Sequence, residues 1–170
     1  MKIRTLGLAF SLAALAAAAR AAEIPATLDA LNYQKLSPAL AVAGKPSNEA
    51  ITKLKEAGFR TAIDLRQPAE GVAAARAAVE AQGLTFVSVP VSPDTFSLDD
   101  AQKVGAILAD PNAGPVLLYC ASANRVGGVL ATLDALKGKP LDEALAAGRK
   151  AGLKSPAMEK AVVRVVETKR

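Results

Sequence analysis

The chain has 170 residues and a formal net charge of +5, and this length is typical of one domain. It contains no histidine and only one cysteine. These counts exclude a Ser-His-Asp triad, a Cys-His dyad, a histidine-built zinc site, an iron–sulfur cluster and an intramolecular disulfide. Tryptophan is absent and aromatic residues make up 4% of the chain, so we do not expect a protein that stacks single-stranded bases.

The first 21 residues have the pattern of a signal peptide. Lys2 and Arg4 precede a stretch from residue 6 to residue 19 that is apolar or glycine except at Ser11, and Ala19-Arg20-Ala21 fits a small-residue cleavage site. The stretch is shorter than the roughly 20 residues that a membrane-spanning helix needs. We therefore predict cleavage after Ala21 and a periplasmic or secreted domain over residues 22–170, with no stable membrane span.

Removal of this leader changes the charge of the chain. Three basic residues and no acid lie in it, so the mature domain keeps a net charge of only +2. That charge is too small to predict a nucleic-acid partner. The sequence predicts a small oxyanion as the partner, and neither a metal nor a cofactor.

Strand and helix signals alternate along the rest of the chain. In chain order they predict strands at 33–36 and 40–43, a helix at 48–57, a strand at 61–65, a helix at 70–82, a strand at 85–91, a helix from a capping box at 97–100 to about 110, a strand at 116–119, and helices at 126–136, 141–151 and 157–168. The alternation predicts a single α/β domain with a central, mostly parallel sheet flanked by helices. Ligands of such sheets bind beyond the carboxyl ends of the strands, which makes the loops at 66–70, 92–96 and 120–125 the candidates.

The only cysteine lies where this fold would place a nucleophile. Cys120 follows an apolar strand, and Arg125 stands at the start of the next predicted helix. Only small or polar residues separate them: Ala121, Ser122, Ala123 and Asn124. Such a loop can turn backbone N–H groups inward to bind an anion, while the helix N-terminus and the guanidinium add positive potential. The field favours a thiolate and suits attack on phosphorus or sulfur, whereas the competing interpretation is a small, inert core residue.

A longer pattern around this loop resembles a known family. It comprises residues 36–47, 54–60, 62–66 and Glu70, and the loop at 120–127 is close to the CASGNRVG that the family often shows. Over roughly residues 33–152 the chain resembles the bacterial branch of the dual-specificity phosphatase fold that is named after beta-lactamase-hydrolase-like proteins. The resemblance implies a phosphatase-like fold and a cysteine-dependent hydrolase of phosphate esters.

Loop length alone permits a different function. Four residues separate Cys120 from Arg125, as in single-domain rhodaneses, whereas most cysteine-dependent phosphatases have five. A rhodanese would usually show a G-H-I-x-G-A segment after Arg66, and none is present. The resembled branch also has the four-residue spacing. The alternatives are a sulfurtransferase that carries a persulfide on Cys120 and a binding module that has lost catalysis.

The resemblance implies roles for three catalytic residues. Cys120 would be the nucleophile, Arg125 and the backbone N–H groups of the loop would bind the phosphate oxygens, and an Asp after the strand near Pro90 would be the general acid. Asp94 fits that position, with Asp99 and Asp100 as alternatives.

The chain also departs from well-studied phosphatases at three positions. Tyr119 replaces a histidine, Val126 replaces a Ser or Thr, and Ala123 stands where a glycine is expected. A Cβ at position 123 would resist a positive φ angle.

Arg66 and Glu70 form a further candidate pair because they are four residues apart in a loop. The favoured interpretation is an ion pair between the two of little energetic value. The alternative is that Arg66 lines the anion pocket.

Overall fold

Five strands, six helices and one 3₁₀ turn follow one another in residues 23–168, the part of the chain that the computed structural model describes. The predicted signal peptide lies outside these residues. The elements are β1 (Gln34–Ser37), β2 (Leu40–Ala43), α1 (Asn48–Ile51), β3 (Thr61–Asp64), the 3₁₀ turn (Pro68–Glu70), α2 (Val72–Glu80), β4 (Thr85–Ser88), α3 (Leu98–Ala109), β5 (Val116–Tyr119), α4 (Asn124–Leu136), α5 (Leu141–Lys150) and α6 (Pro156–Glu167). Within this range no helix is both long enough and apolar enough to span a bilayer.

The strands form one sheet in the order β1-β2-β5-β3-β4. Only β1 is antiparallel to its neighbour, and the remaining strands are parallel. In the register of the central strands, Tyr119 stands between Ala43 and Asp64, so β2, β5 and β3 end side by side. The predicted single α/β domain with a mostly parallel sheet is confirmed.

Helices cover both faces of the sheet because successive strand residues point to opposite sides. On β5, Leu117 and Tyr119 belong to the apolar cluster that α1 and α2 cover. Leu118 and Cys120 belong to the opposite cluster, beneath α3, α4 and α6. Helices α4 and α5 approach closely: a Cβ on Gly148 would lie 2.6 Å from the Gly127 carbonyl oxygen.

Three predicted elements are shorter than expected, each for a local reason. Helix α1 stops at Ile51 because the Gln82 side chain replaces the next helical hydrogen bond, which would join the Lys55 N–H to the Ile51 carbonyl. Gln82 Nε2 donates to the Ile51 carbonyl, and Gln82 Oε1 accepts from the Lys55 N–H. The predicted helix at 70–82 starts only at residue 72, after Gly71 with φ of 83°. Strand β4 ends before Pro90, which has no N–H to donate.

Candidate active site

Three loops meet at the carboxyl edge of the sheet. The Leu65 N–H donates to the Tyr119 carbonyl at 2.9 Å, and the Val91 N–H donates to the Leu65 carbonyl at 3.1 Å. The ends of β5, β3 and β4 are therefore joined by backbone hydrogen bonds. This edge holds the loops at 66–70, 92–96 and 120–125 that the sequence predicts as ligand-binding.

Cys120 is the first residue after β5, and it is buried. Its N–H donates to the Ala43 carbonyl at 3.3 Å, which continues the contact between β5 and β2 by one residue. The side chain faces the cluster beneath α3, α4 and α6.

The loop turns into α4 through a left-handed residue. Ala123 has φ of 67° and caps the helix, so α4 starts at Asn124 and not at the predicted residue 126. The Ala123 side chain fits because Gly152 stands against it: a Cβ on Gly152 would lie 2.6 Å from the Ala123 Cβ. The positive φ thus occurs without the expected glycine, and Arg125 becomes the second residue of the helix.

The carbonyl groups of the loop face outward. The Ala121 carbonyl accepts from the Lys45 N–H at 3.0 Å, and the Ser122 carbonyl accepts from Asn32 Nδ2 at 3.1 Å. Within residues 23–168, no hydrogen bond uses the N–H groups of Ala121, Ser122 or Arg125 as donors. These N–H groups are the donors that an anion in the loop would need.

Glu70 holds Arg125 by a two-fold ion pair. Arg125 Nη1 donates to Glu70 Oε2 at 2.7 Å, and Nη2 donates to Oε1 at 2.8 Å. Nη1 also lies 3.3 Å from the Leu65 carbonyl oxygen and 3.4 Å from that of Val91. The guanidinium is therefore fixed at the point where the three loops meet.

This ion pair shifts the pKa values of both side chains. The Arg125 hydrogen bonds lower the pKa of Glu70 to about 2 against the opposing effect of burial, so Glu70 is a carboxylate throughout the neutral range. The Glu70 hydrogen bonds raise the pKa of Arg125, burial opposes them, and the electrostatic interaction with Cys120 raises it further. The guanidinium is thus electrostatically coupled to the sulfur.

The predicted ion pair between the side chains of Arg66 and Glu70 is wrong. Arg66 pairs with Asp64, with Nη2 at 2.7 Å from Oδ2 and Nε at 3.0 Å from Oδ1. Its remaining Nη1 donates to the backbone carbonyl of Glu70 at 2.8 Å. Both members of the Asp64–Arg66 pair are buried, so Arg66 supports the loop that carries Glu70 and does not offer its charge to solvent.

Tyr119 lies under the Arg66 guanidinium, with the guanidinium carbon 5.4 Å from the ring centroid. Burial first, and then the Asp64 charge, raise the pKa of Tyr119 far above its ordinary value, so the phenol stays protonated. Its hydroxyl forms no hydrogen bond of good geometry with residues 23–168. Tyr119 therefore packs as an apolar group at the position where well-studied phosphatases have a histidine, and it cannot donate to Cys120 across the sheet.

Asp94 lies exposed in the loop after β4. The same loop is attached to α6, because Arg164 Nη2 donates to the Pro93 and Phe96 carbonyls at 2.9 and 3.1 Å. Of the two alternatives, Asp100 is engaged in the capping box with Ser97, while Asp99 is exposed in the first turn of α3. The assignment of Asp94 as general acid stays a prediction.

Two features of the site were missed by reasoning from the sequence. Asp64 is a carboxylate in the middle of the apolar segment at 61–65, and that isolated acid is the signal that could have revealed a buried partner. The contact between Glu70 and Arg125 spans 55 residues and has no local signal. No cluster of three or more metal-ligating side chains exists within residues 23–168.

Comparison with known proteins identifies the family of the chain and agrees with its fold. Residues 32–137 match the model of the family described as beta-lactamase hydrolase-like protein, phosphatase-like domain. None of the curated proteins matches the chain.

Solved structures show the same fold at low sequence identity. TpbA of P. aeruginosa is 21% identical with a TM-score of 0.63, covering 86% of this chain and 90% of its own. TpbA has also been crystallised in complex with pTyr. The catalytic core of the PP-IP phosphatase SIW14 from S. cerevisiae is 15% identical with a TM-score of 0.62, covering 82% of this chain and 88% of its own.

Proposed function

Because the chain belongs to the phosphatase-like domain family of beta-lactamase hydrolase-like proteins and is a phosphatase-like hydrolase, we propose that it hydrolyses phosphate esters through the Cys120 thiolate. One observation carries the mechanism: Glu70 fixes the Arg125 guanidinium at the sheet edge where Cys120 follows β5, and within residues 23–168 the N–H groups of Ala121, Ser122 and Arg125 donate to no acceptor. A tetrahedral phosphate needs this combination of convergent donors and a nucleophile.

The proposed reaction has two steps. The Cys120 sulfur attacks phosphorus as the bond to the leaving oxygen breaks, and Asp94 donates a proton to that oxygen. The loop N–H groups and Arg125 stabilise the negative charge on the three equatorial oxygens. Water then attacks the phosphocysteine and gives a proton back to the Asp94 carboxylate, the S–P bond breaks, and inorganic phosphate and the thiolate are released.

Hydrolysis of p-nitrophenyl phosphate by the reduced mature protein tests the nucleophile. We expect turnover that Cys120→Ser abolishes, since a serine without a base is a poor nucleophile. Because Cys120 is buried, circular dichroism and urea unfolding must show that the variant is folded. Turnover that survives in the folded variant would refute the role of Cys120. Sulfur transfer from thiosulfate to cyanide without ester hydrolysis would favour the sulfurtransferase.

The general acid has its own test in Asp94→Asn, with Asp142→Asn, an exposed residue in the first turn of α5, as the control. We expect Asp94→Asn to lower kcat by about 100-fold or more and to flatten the alkaline limb of the pH profile. The effect should shrink on esters with a strongly acidic leaving group, which need no proton. Equal activity of the two variants would remove Asp94 from the mechanism.

Export is part of the proposal and rests on the pattern of residues 1–21. We expect the protein purified from its native host to begin at Ala22 when its intact mass is measured, and to occur in the periplasmic or secreted fraction. A mature protein that still begins at Met1 would contradict cleavage.

A further inference from the structure

A small polar cavity adjoins the cysteine loop. Its volume is about 330 Å³, and its lining residues are Asn32, Ser122, Asn124, Lys154 and Ser155. Two of these five residues belong to the loop between Cys120 and Arg125. A group bound in the cavity would therefore be a near neighbour of a phosphate held in the loop.

The cavity presents hydrogen-bond donors and a cation. Asn124 Oδ1 accepts from the Lys154 N–H at 2.8 Å and from the Ser155 N–H at 2.9 Å, and these bonds orient the amide so that its NH₂ group remains for a ligand. Asn32 and Ser122 add an amide and a hydroxyl. No carboxylate lines the cavity, and Lys154 has no ion-pair partner among residues 23–168. Donors with an uncompensated ammonium are the groups that bind an anion.

Lys154 is important because carboxylates compensate the charges of the two arginines beside the loop. Glu70 neutralises Arg125, and Asp64 neutralises Arg66, so the two arginines contribute no net charge to the site. Lys45 and Lys154 bracket the loop through their backbone N–H groups, which donate to Ala121 and to Asn124. Both lysines are exposed. The two lysines therefore supply the uncompensated positive charge beside the loop.

We propose that this cavity is a subsite for a second phosphate, and that the substrate is a small molecule with two phosphate groups on neighbouring atoms. The inference rests on the proposed function, because it names the substrate class of the same site. A small molecule is favoured over an acidic peptide because the volume of the cavity is at the low end of ligand pockets.

The test compares 2,3-bisphosphoglycerate with 3-phosphoglycerate, which differ by one phosphate, and uses p-nitrophenyl phosphate as the reference. We expect the wild-type protein to prefer the bisphosphate in kcat/KM, chiefly through KM, and this preference should fall as salt rises. Lys154→Ala should lower the ratio of the two kcat/KM values by about tenfold. Lys154→Arg should retain most of the ratio. Lys160→Ala removes another exposed lysine of the same region and should leave the ratio unchanged.

The outcomes separate this inference from the proposed function. Turnover of p-nitrophenyl phosphate without a bisphosphate preference, or with a preference that Lys154→Ala does not change, overturns the subsite alone. A larger effect of Lys154→Ala on a phosphopeptide with acidic neighbours also overturns it. If no ester is hydrolysed, equilibrium dialysis measures the binding of 2,3-bisphosphoglycerate to two proteins. These are the Cys120→Ser variant and the double variant that also carries Lys154→Ala. Equal binding by the two proteins would refute the subsite, and weaker binding by the double variant would support it.

Discussion

Two arginine–carboxylate pairs lie at the carboxyl end of β3. They differ in whether the arginine keeps an N–H donor that a ligand could use. In the Asp64–Arg66 pair the side chains are 0% and 3% exposed, and Nε, Nη1 and Nη2 of Arg66 all donate to protein acceptors. In the Glu70–Arg125 pair they are 34% and 14% exposed, and no hydrogen bond within residues 23–168 uses the Arg125 Nε. The first pair builds the loop, and the second pair presents a donor at the site.

The Asp64–Arg66 pair supports the Glu70–Arg125 pair, and the support does not run the other way. Arg66 Nη1 donates to the backbone carbonyl of Glu70, while the Glu70 side chain holds Arg125. Damage to the buried pair should therefore reach the active site, whereas damage to the exposed pair should leave the core intact. Substitutions that separate stability from activity test this difference.

The largest effect is expected for Arg125→Lys. Lysine keeps the positive charge but cannot make paired bonds to Glu70 and to a phosphate at the same time. We expect kcat/KM for p-nitrophenyl phosphate to fall by about 100-fold or more, which is the range for a lost oxyanion donor. Arg149→Lys, in the exposed pair between Arg149 and Glu159, is the matched control and should retain full activity. Near-normal turnover of Arg125→Lys would show that charge alone suffices.

The next effect concerns stability and is expected for Asp64→Asn. The substitution leaves the buried Arg66 guanidinium without its counter-charge, so we expect the free energy of unfolding in urea to fall by about 3–5 kcal/mol. Asp134→Asn breaks the more exposed pair with Lys139 and should cost at most about 1 kcal/mol. If both variants unfold at the same urea concentration, burial does not distinguish the pairs.

These pairs also show what the sequence could and could not predict. The alternation of strands and helices predicted the parallel sheet, and with the only cysteine it predicted the three loops that meet at the sheet edge. The partner of Arg66 was not predicted because i,i+4 spacing pointed to Glu70, although a loop outside a helix need not obey that spacing. The early end of α1 was missed for a similar reason: Gln82, which interrupts the helix, lies 31 residues from Ile51.

A smaller effect on activity is expected for Glu70→Gln. The amide can still accept one hydrogen bond from Arg125 but loses the charge and the paired geometry. We expect kcat/KM to fall by about tenfold, since small errors in position at a reacting centre can cost up to roughly 100-fold. The free energy of unfolding should fall by about 1–2 kcal/mol, less than for Asp64→Asn, because the pair is partly exposed and solvent screens it. Glu80→Gln, in the exposed pair with Arg76, should change neither quantity. A large loss of stability in Glu70→Gln would place both pairs in the same structural role.

The smallest effect is a pH dependence of the Glu70–Arg125 pair. The pKa of Glu70 is lowered from 4.5 to about 2 in the folded protein, so the folded state favours the carboxylate. Its contribution to stability is therefore fully present above pH 4.5, declines as the pH falls, and is absent below pH 2. The difference in unfolding free energy between wild type and Glu70→Gln should shrink steadily between pH 4.5 and 2. Urea unfolding at several pH values measures this difference.

Glu80→Gln provides the baseline for acid effects on the rest of the molecule. A difference that stays constant down to pH 2 would mean that Glu70 does not favour the folded state through its charge, and that Arg125 is held by its backbone acceptors at Leu65 and Val91.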